Sequence, residues 1–225
     1  MPSMPPGCGE ASLPYISRPS LESISSYQSE QLQALTLARE VLCGAPSSAG
    51  QELKASLAAY LNFRRRVDAF LGRYFEKVCS ESCYRSKRSA CCSRDGIITY
   101  WADVVVNVLH ATPAQLDLLE ARLTTPQQGA KCVYLGDGGC LWRIRPIVCA
   151  MFLCGQAEAA VFGEHPRAKA RWAELNTEKK LYTWPDRPVL FNDLESWFVE
   201  RGYRSSLMYM HLSPGLVRLK QKFAV

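Results

Sequence analysis

The sequence lacks any run of about 20 apolar residues, the length that an α-helix needs to cross a membrane. Its first segment, MPSMPPGCGEASLPYISRPS, has neither the basic start nor the apolar stretch of a secretory signal. We therefore expect a cytoplasmic protein with no membrane partner, in which residues 1–19 form a flexible leader. In such a reducing compartment, cysteines stay as thiols and bind metal more often than they form disulfides.

Histidine is scarce, and the basic residues outnumber the acidic ones only mildly. The chain has three histidines and a net charge of +6. A lone histidine is usually a surface or satisfied core residue, so His110, His165 and His211 are not assigned as ligands. Nucleic-acid binding typically shows a dense basic face or a known module, and neither is evident. Nucleic acid is therefore not an expected partner, and the sequence identifies no protein partner.

Helical periodicity dominates the first third of the chain. It predicts a helix over residues 20–43, capped by Ser20 or Ser23, with Gly44 just past its end. After a short break, a longer amphipathic helix is predicted to reach Val78. Three consecutive arginines along that helix are expected on its solvated side: Arg64, Arg65 and Arg66.

The remaining pattern alternates between a cysteine-rich loop, helices and one hairpin. Residues 79–94 lose periodicity and are predicted to be a loop, and a helix follows over residues 99–111. Capping boxes predict further helices, and turn or proline signals predict the other elements: Thr112 with Gln115, Asn192 with Glu195, a hairpin turning at residues 136–139, a short helix from Pro146 that stops at Gly155, and a final helix from Ser213. The expected fold is mostly α with a small β-hairpin, as a single domain over residues 20–225.

Eight of the ten cysteines fall between positions 79 and 154. Cys8 lies in the leader, and Cys43 lies on an apolar helical face, where we expect a core thiol. The eight clustered cysteines are Cys79, Cys83, Cys91, Cys92, Cys132, Cys140, Cys149 and Cys154. Disulfides lack the support of an export signal, and buried thiols would not cluster among Arg, Lys, Ser and Gly. Metal ligation explains the cluster best.

The spacing of the cysteines favours ligation. If the long helix continues by one turn, Cys79 and Cys83 lie four residues apart on one face, which suits chelation of one ion. Cys91 and Cys92 point in different directions unless the backbone is tightly curled, so they would more naturally serve two metals, or one would be a ligand and the other would support it. Cys149 lies in the first turn of a helix, where the helix dipole stabilises a thiolate. Positive charge at Arg145 offsets the −2 charge of a zinc ion held by four thiolates.

The hairpin leaves an alternative open. A two-residue turn would place Cys132 and Cys140 on opposite sides of the hairpin, whereas a three-residue turn would place them on the same side. Cys154 follows Cys149 by five residues and is not on its helical face. It is therefore the weakest candidate, and the predicted ligand pool consists of seven residues: Cys79, Cys83, Cys91, Cys92, Cys132, Cys140 and Cys149.

The order of these cysteines resembles a known family. The pattern Cys79-x3-Cys83-x7-Cys91-Cys92 precedes CVYLGDGGCLWRIRPIVCAMFLC, in which Cys140, Arg145, Pro146 and Cys149 match the second half of the family pattern. The arrangement is similar to that of the YkgJ-like cysteine-cluster proteins, described as zinc- or iron-chelating domains. The first group of this chain departs from the family's CxxCxxCC, because its gaps are three and seven residues long.

The resemblance implies a cofactor and leaves its identity open. Cysteine thiolates suit zinc, iron and iron–sulfur clusters alike. The flagellin lysine N-methylases carry a similar cysteine cluster, which implies an iron–sulfur centre. We therefore expect a metal-binding protein that chelates zinc or iron or holds an iron–sulfur cluster. The alternative is an iron–sulfur-dependent enzyme, such as a protein lysine N-methylase-like or redox catalyst, and the sequence assigns no catalytic residue.

Overall fold

A computed structural model describes residues 24–94, 97–127, 129–183 and 189–208. The described part is mostly helical, with one two-stranded antiparallel sheet, which confirms the predicted class. Its elements in chain order are α1 (Ser26–Gly44), α2 (Ser47–Ser56), α3 (Ala58–Phe75), a π-helix (Glu76–Tyr84), α4 (Trp101–His110), α5 (Pro113–Thr124), β1 (Leu135–Gly136), β2 (Gly139–Cys140), α6 (Ile147–Ala150), α7 (Gly155–Phe162), α8 (Pro166–Thr183) and α9 (Leu190–Val199).

Helix α4 lies at the centre of the fold. Every residue from Trp101 to Leu109 is buried, and α4 packs against α1 on one side and α9 on another. The Trp101 ring meets the Phe198 ring of α9 edge-to-face, with the centroids 4.9 Å apart. A run of apolar residues that is buried on all sides forms a helix here because neighbouring elements cover its whole circumference.

Helices α1 and α5 are placed by capping boxes. The Ser25 hydroxyl accepts a hydrogen bond from the Gln28 N–H at 3.2 Å, so the cap is Ser25 and neither Ser20 nor Ser23 is correct. Gly44 is the last residue of α1, so the helix ends one position later than predicted. The predicted Thr112–Gln115 box is confirmed at the start of α5.

The predicted long helix is three consecutive elements. Leu57 separates α2 from α3, and after Phe75 the chain continues as a π-helix instead of the predicted loop. The predicted exposure of Arg64 is also wrong. Arg64 is 3% exposed and donates a hydrogen bond of 3.0 Å to the Tyr60 hydroxyl, because a buried charge needs a polar partner.

Three other predictions are also wrong. The helix from Pro146 ends at Ala150, and Gly155 begins α7 instead of ending a helix. Helix α9 begins at Leu190, so Asn192 and Glu195 lie inside it, buried, and do not form its capping box. Cys43 is exposed and disulfide-bonded, so it is not a core thiol.

Several predictions concern residues outside the described part. These are the leader, the helix from Ser213 and His211. Among the described residues, no helix is both long enough and apolar enough to cross a membrane. Buried apolar residues from Ala34 to Met208 form one hydrophobic cluster.

Candidate metal centre

The cysteines of the predicted pool come from four segments of the chain. The π-helix carries Cys79 and Cys83, a turn after it carries Cys91 and Cys92, the hairpin region carries Cys132 and Cys140, and α6 carries Cys149. Cys154 is the N-cap residue of α7. All eight are free thiols, of which Cys79 and Cys91 are exposed and the others are half-buried.

The π-helix continues α3 with a wider hydrogen-bond spacing. The Arg85 N–H donates to the Ser80 carbonyl, five residues earlier, at 2.9 Å. Elements of this kind are rare and frequently occur at functional sites. The Tyr84 hydroxyl donates to the Gly136 carbonyl at 3.2 Å and also to the Asp137 carbonyl, so the end of the π-helix is fixed to the tip of the hairpin.

The turn after the π-helix folds back onto Cys83. The Cys83 carbonyl accepts hydrogen bonds from the N–H groups of Arg88 at 3.0 Å and Ser89 at 3.2 Å, and the Ala90 N–H donates to the Cys83 Sγ at 3.5 Å. Lys87 and Ser89 have φ angles of 60° and 38°. Such left-handed conformations cost about 1–3 kcal/mol each for non-glycine residues and cluster at functional sites.

A short antiparallel pairing brings the Cys-Cys pair to the hairpin. The Cys132 N–H donates to the Cys92 carbonyl at 2.9 Å, and Ser93 forms a β-bridge with Lys131. The Lys131 ammonium donates to the carbonyl of Arg88 and, at 3.3 Å, to that of Ser89. These bonds fix Cys92 next to Cys132 even though forty residues of chain separate them.

The hairpin turns at the predicted residues, and of the two turn lengths left open its turn has two residues. Leu135 pairs with Cys140 and Gly136 pairs with Gly139, which has a φ of +109° that side chains rarely adopt. Each strand has only two residues, so Cys132 lies before the sheet, and the alternation of a long hairpin does not apply to it. The charges of Cys132 and Cys140 both raise the pKa of the Cys92 thiol, so both residues lie near it.

Helix α4 holds the segment that carries Arg145 and Cys149. The Asn107 amide donates to the Ile144 carbonyl at 2.8 Å, and its oxygen accepts from the Ile144 N–H at 2.9 Å. One turn earlier, the Asp103 carboxylate accepts from the Ile147 N–H at 3.0 Å. The chain on both sides of Arg145 is therefore anchored by buried polar groups of the central helix.

Burial is the largest influence on the pKa values of most of the cysteine thiols. It raises the pKa of Cys79 to about 11 and that of Cys132 to about 11, and it also raises the pKa values of Cys140 and Cys149. Burial disfavours the thiolate because the charge leaves water. Metal binding must therefore displace protons from these thiols.

The neighbouring thiols of Cys91 and Cys92 have pKa values that are shifted in opposite directions. The Cys92 S–H donates to the Cys91 sulfur, which lowers the pKa of Cys91 to about 6 and raises that of Cys92. Arg145 and Lys131 add positive charge that also lowers the pKa of Cys91. Cys91 is thus the thiol that holds a negative charge most readily among those whose pKa values shift.

Arg145 is the common cation of the cluster. Its charge acts on the thiols of Cys79, Cys91, Cys140 and Cys149, and in each case it lowers the pKa. These four cysteines come from four different segments, and Arg145 itself is exposed. The guanidinium is therefore placed to stabilise several thiolates at once, as the sequence analysis expected for Cys149.

The structure brings the predicted cysteines into one region but does not arrange their side chains as metal ligands. Among the described residues, no three His, Cys, Asp or Glu side chains have the arrangement that a metal ion requires. Cys154, the weakest candidate of the sequence analysis, lies near enough to Cys79 for its charge to raise the pKa of that thiol. No helical periodicity links Cys154 to Cys149, and its proximity to Cys79 depends on the packing of α7.

Comparison of the chain with protein-family models, curated proteins and solved structures finds no match. The resemblance to the YkgJ-like proteins therefore remains a hypothesis based on the cysteine pattern.

Proposed function

We propose that this protein is a cytoplasmic metal-binding protein of the YkgJ-like type. In this proposal, thiolates from the predicted pool chelate zinc or iron or hold an iron–sulfur cluster. The observation that carries the proposal is the convergence of free thiols from four chain segments around one cation, Arg145. Packing of an apolar core does not require eight thiols in one polar, partly exposed region.

The donor set suits a soft metal. Thiolates select zinc, Cu(I) and iron–sulfur clusters, and four of them around Zn²⁺ carry a net charge of −2. The raised pKa values describe the metal-free thiols, and a bound cation would favour the thiolate form. Because a preformed site is seldom present without metal, binding would be accompanied by rearrangement of the cysteine side chains.

The proposal is tested by the metal and acid-labile sulfide content of the full chain, purified without oxygen, together with its absorption spectrum. Zinc without sulfide supports an ion-binding site, whereas iron with sulfide supports a cluster. Absence of both metals would refute the proposal.

The variant Cys149→Ser provides the residue-level test. We expect it to lower metal content and thermal stability together, because structural zinc contributes ~10 kcal/mol or more in small peptides. Cys43→Ser, which removes a disulfide-bonded cysteine of α1 outside the cluster, serves as the control for metal content alone. Equal metal content in Cys149→Ser and the unsubstituted chain would remove Cys149 from the ligand set.

A further inference from the structure

The segments that carry most of the cysteines are basic and lack acidic residues. Seven of the eight clustered cysteines lie in residues 83–94, 129–136 and 138–154, which contain seven Lys and Arg residues and no Asp or Glu. The whole chain has 21 acidic residues, so a surface of evenly mixed charge would place several of them here. The surface that these three segments form, the cysteine face, therefore concentrates positive charge.

Most cations of the cysteine face are not neutralised by carboxylates. Six of them are exposed and form no ion pair with any residue that the structure describes: Arg85, Lys87, Arg88, Lys131, Arg143 and Arg145. On the helices, by contrast, Arg39 pairs with Asp117 and Glu120, and Arg171 pairs with Glu174. A zinc ion held by four thiolates would offset two of the six charges. An excess of positive charge therefore faces solvent even when the proposed site is filled.

The turn after the π-helix holds the first group of cations against Lys131. The N–H groups of Arg88 and Ser89 donate to the Cys83 carbonyl at 3.0 and 3.2 Å, which fixes the backbone of the turn. The Lys131 ammonium donates to the Arg88 carbonyl and, at 3.3 Å, to the Ser89 carbonyl. These bonds join the cations of two chain segments.

The hairpin brings the third segment to the same side. The Leu141 N–H donates to the Tyr134 carbonyl at 2.9 Å, so the two arms of the hairpin still run side by side beyond the sheet. Arg143 therefore follows on the arm opposite Lys131, and Arg145 lies two residues further along. The cations of the cysteine face are thus held together by backbone contacts that exist before any partner binds.

Two exposed apolar side chains adjoin these cations. Ile98 is 49% exposed and Phe152 is 54% exposed. The Cys149 thiol donates to the Ile98 carbonyl at 3.9 Å, and Phe152 follows Cys149 by three residues, directly after the C-cap residue of α6. Arg145 precedes Cys149 by four residues. Single exposed apolar residues are ordinary, but two that flank one cysteine beside several cations are typical of an interface with an apolar centre and a polar rim.

We propose that the cysteine face is a docking surface for an acidic protein, whose carboxylates pair with the cations and whose apolar side chains cover Ile98 and Phe152. The inference names the partner class of the site described above, and it rests on the proposed function for the role of the contact. Aromatic residues and arginine are enriched among the hot spots of protein interfaces, and complementary charge directs association.

A protein fits this face better than a nucleic acid does. Surfaces that bind single strands stack successive bases on several aromatic rings. In the described part of the cysteine face, Phe152 is the one exposed aromatic side chain, whereas Tyr134 and Trp142 are buried. Contacts with a phosphate backbone would also leave the apolar side chain of Ile98 uncovered.

The experiment titrates the full chain, purified without oxygen, with three synthetic probes of equal net charge. The first is a peptide with glutamates around a central leucine and phenylalanine, the second is an all-glutamate peptide, and the third is a single-stranded oligonucleotide. We expect the first peptide to bind most tightly, with an affinity that falls as salt rises. Equal binding of the two peptides, or tighter binding of the oligonucleotide, would overturn the inference.

A double variant tests the cations of the face. Arg88→Gln with Arg143→Gln should weaken binding of the first peptide roughly three- to tenfold, because each exposed ion pair contributes little by itself. Arg167→Gln with Lys169→Gln, which removes two exposed cations of α8, is the matched control and should retain the affinity. Equal losses in the two double variants would show that net charge alone attracts the peptide, which would also overturn the inference.

Phe152→Ala tests the apolar centre. We expect it to weaken binding of the first peptide roughly tenfold and to abolish the preference for that peptide over the all-glutamate one. Leu181→Ala, at a residue of α8 that is 55% exposed, is the control. Unchanged affinity in Phe152→Ala would refute docking at this face. Metal content, measured on the same samples, separates the two proposals, because a chain without metal would refute the proposed function whatever the titrations show.

Discussion

Asn107 and Ile144 exchange a pair of hydrogen bonds across the centre of the molecule. The Asn107 amide nitrogen donates to the Ile144 carbonyl at 2.8 Å, and the Ile144 N–H donates to the Asn107 amide oxygen at 2.9 Å. Asn107 is fully buried in α4. A single side chain thus satisfies both backbone groups of the residue before Arg145, which links the core to the cysteine cluster.

Asn107→Ala is expected to destabilise the protein by roughly 2–4 kcal/mol. The substitution leaves the N–H and carbonyl of Ile144 without their partner, and each unsatisfied buried polar group costs about 1–3 kcal/mol. Urea unfolding followed by circular dichroism measures the change. Asn62→Ala on the exposed face of α3 is the control and should change stability little. Similar effects of the two substitutions would contradict the anchoring role.

The buried Asp103 carboxyl should make the stability of the fold depend on pH. Burial raises its pKa from 3.8 to about 6, although hydrogen bonds from the Tyr100 and Ile147 N–H groups oppose the rise. The folded state therefore binds the proton more tightly than the unfolded state. The resulting stabilisation is complete below pH ~4 and is lost as the pH rises through ~6, by about 3 kcal/mol.

Urea unfolding at several pH values between 4 and 7 tests this dependence against Asp103→Asn. The asparagine does not titrate, so its profile should lack the fall in unfolding free energy with rising pH. Other carboxyl groups affect both proteins equally, and the difference between the two profiles isolates Asp103. Parallel profiles would show that the pKa of Asp103 is not raised in the folded state.

Arg145→Gln is expected to weaken metal binding without unfolding the protein. The exposed guanidinium acts on four thiols, and loss of one positive charge near an anionic centre should lower affinity roughly two- to tenfold, less at high salt. Competition with a chelator at two salt concentrations measures the affinity. Arg143→Gln, two residues earlier and also exposed, is the matched control. Equal losses in both variants would indicate a general charge effect.

Tyr84→Phe should loosen the connection between the π-helix and the hairpin. It removes the hydroxyl that donates to the Gly136 carbonyl at 3.2 Å, and a hydrogen bond of this kind contributes about 1 kcal/mol. We expect faster amide hydrogen exchange in residues 76–84 and 135–140. Tyr203→Phe, at a tyrosine whose ring packs against Phe198, is the control. Unchanged exchange would mean that other contacts fix the π-helix.

Local patterns predicted the elements whose signals lie within a few residues. The Thr112–Gln115 box and the glycine-rich turn at residues 136–139 are determined by side-chain-to-backbone bonds and backbone freedom over four residues. The Asn192–Glu195 pattern has the same spacing but is buried inside α9. The apolar residues Val189, Phe191 and Leu194 are buried in the core there, and α9 begins at Leu190, before Asn192.

Local sequence patterns predicted neither the π-helix nor the burial of Arg64. Helical periodicity is lost after Val78, yet helical hydrogen bonding continues to Tyr84, and its change in spacing coincides with tertiary contacts of Tyr84 and α7. Arg64 lies in a run of three arginines, and only the packing around Tyr60 determines which one is buried.

The sequence by itself determined the helical class, the hairpin and the clustering of cysteines between positions 79 and 154, because hydrophobic period, turn residues and residue spacing are properties of the chain alone. Only the tertiary structure decided which thiols are neighbours. Cys154 is five residues from Cys149, yet its charge acts on the thiol of Cys79, because α7 packs against the π-helix. Neighbourhoods of this kind depend on long-range packing of apolar faces, which the spacing of cysteines along the chain does not encode.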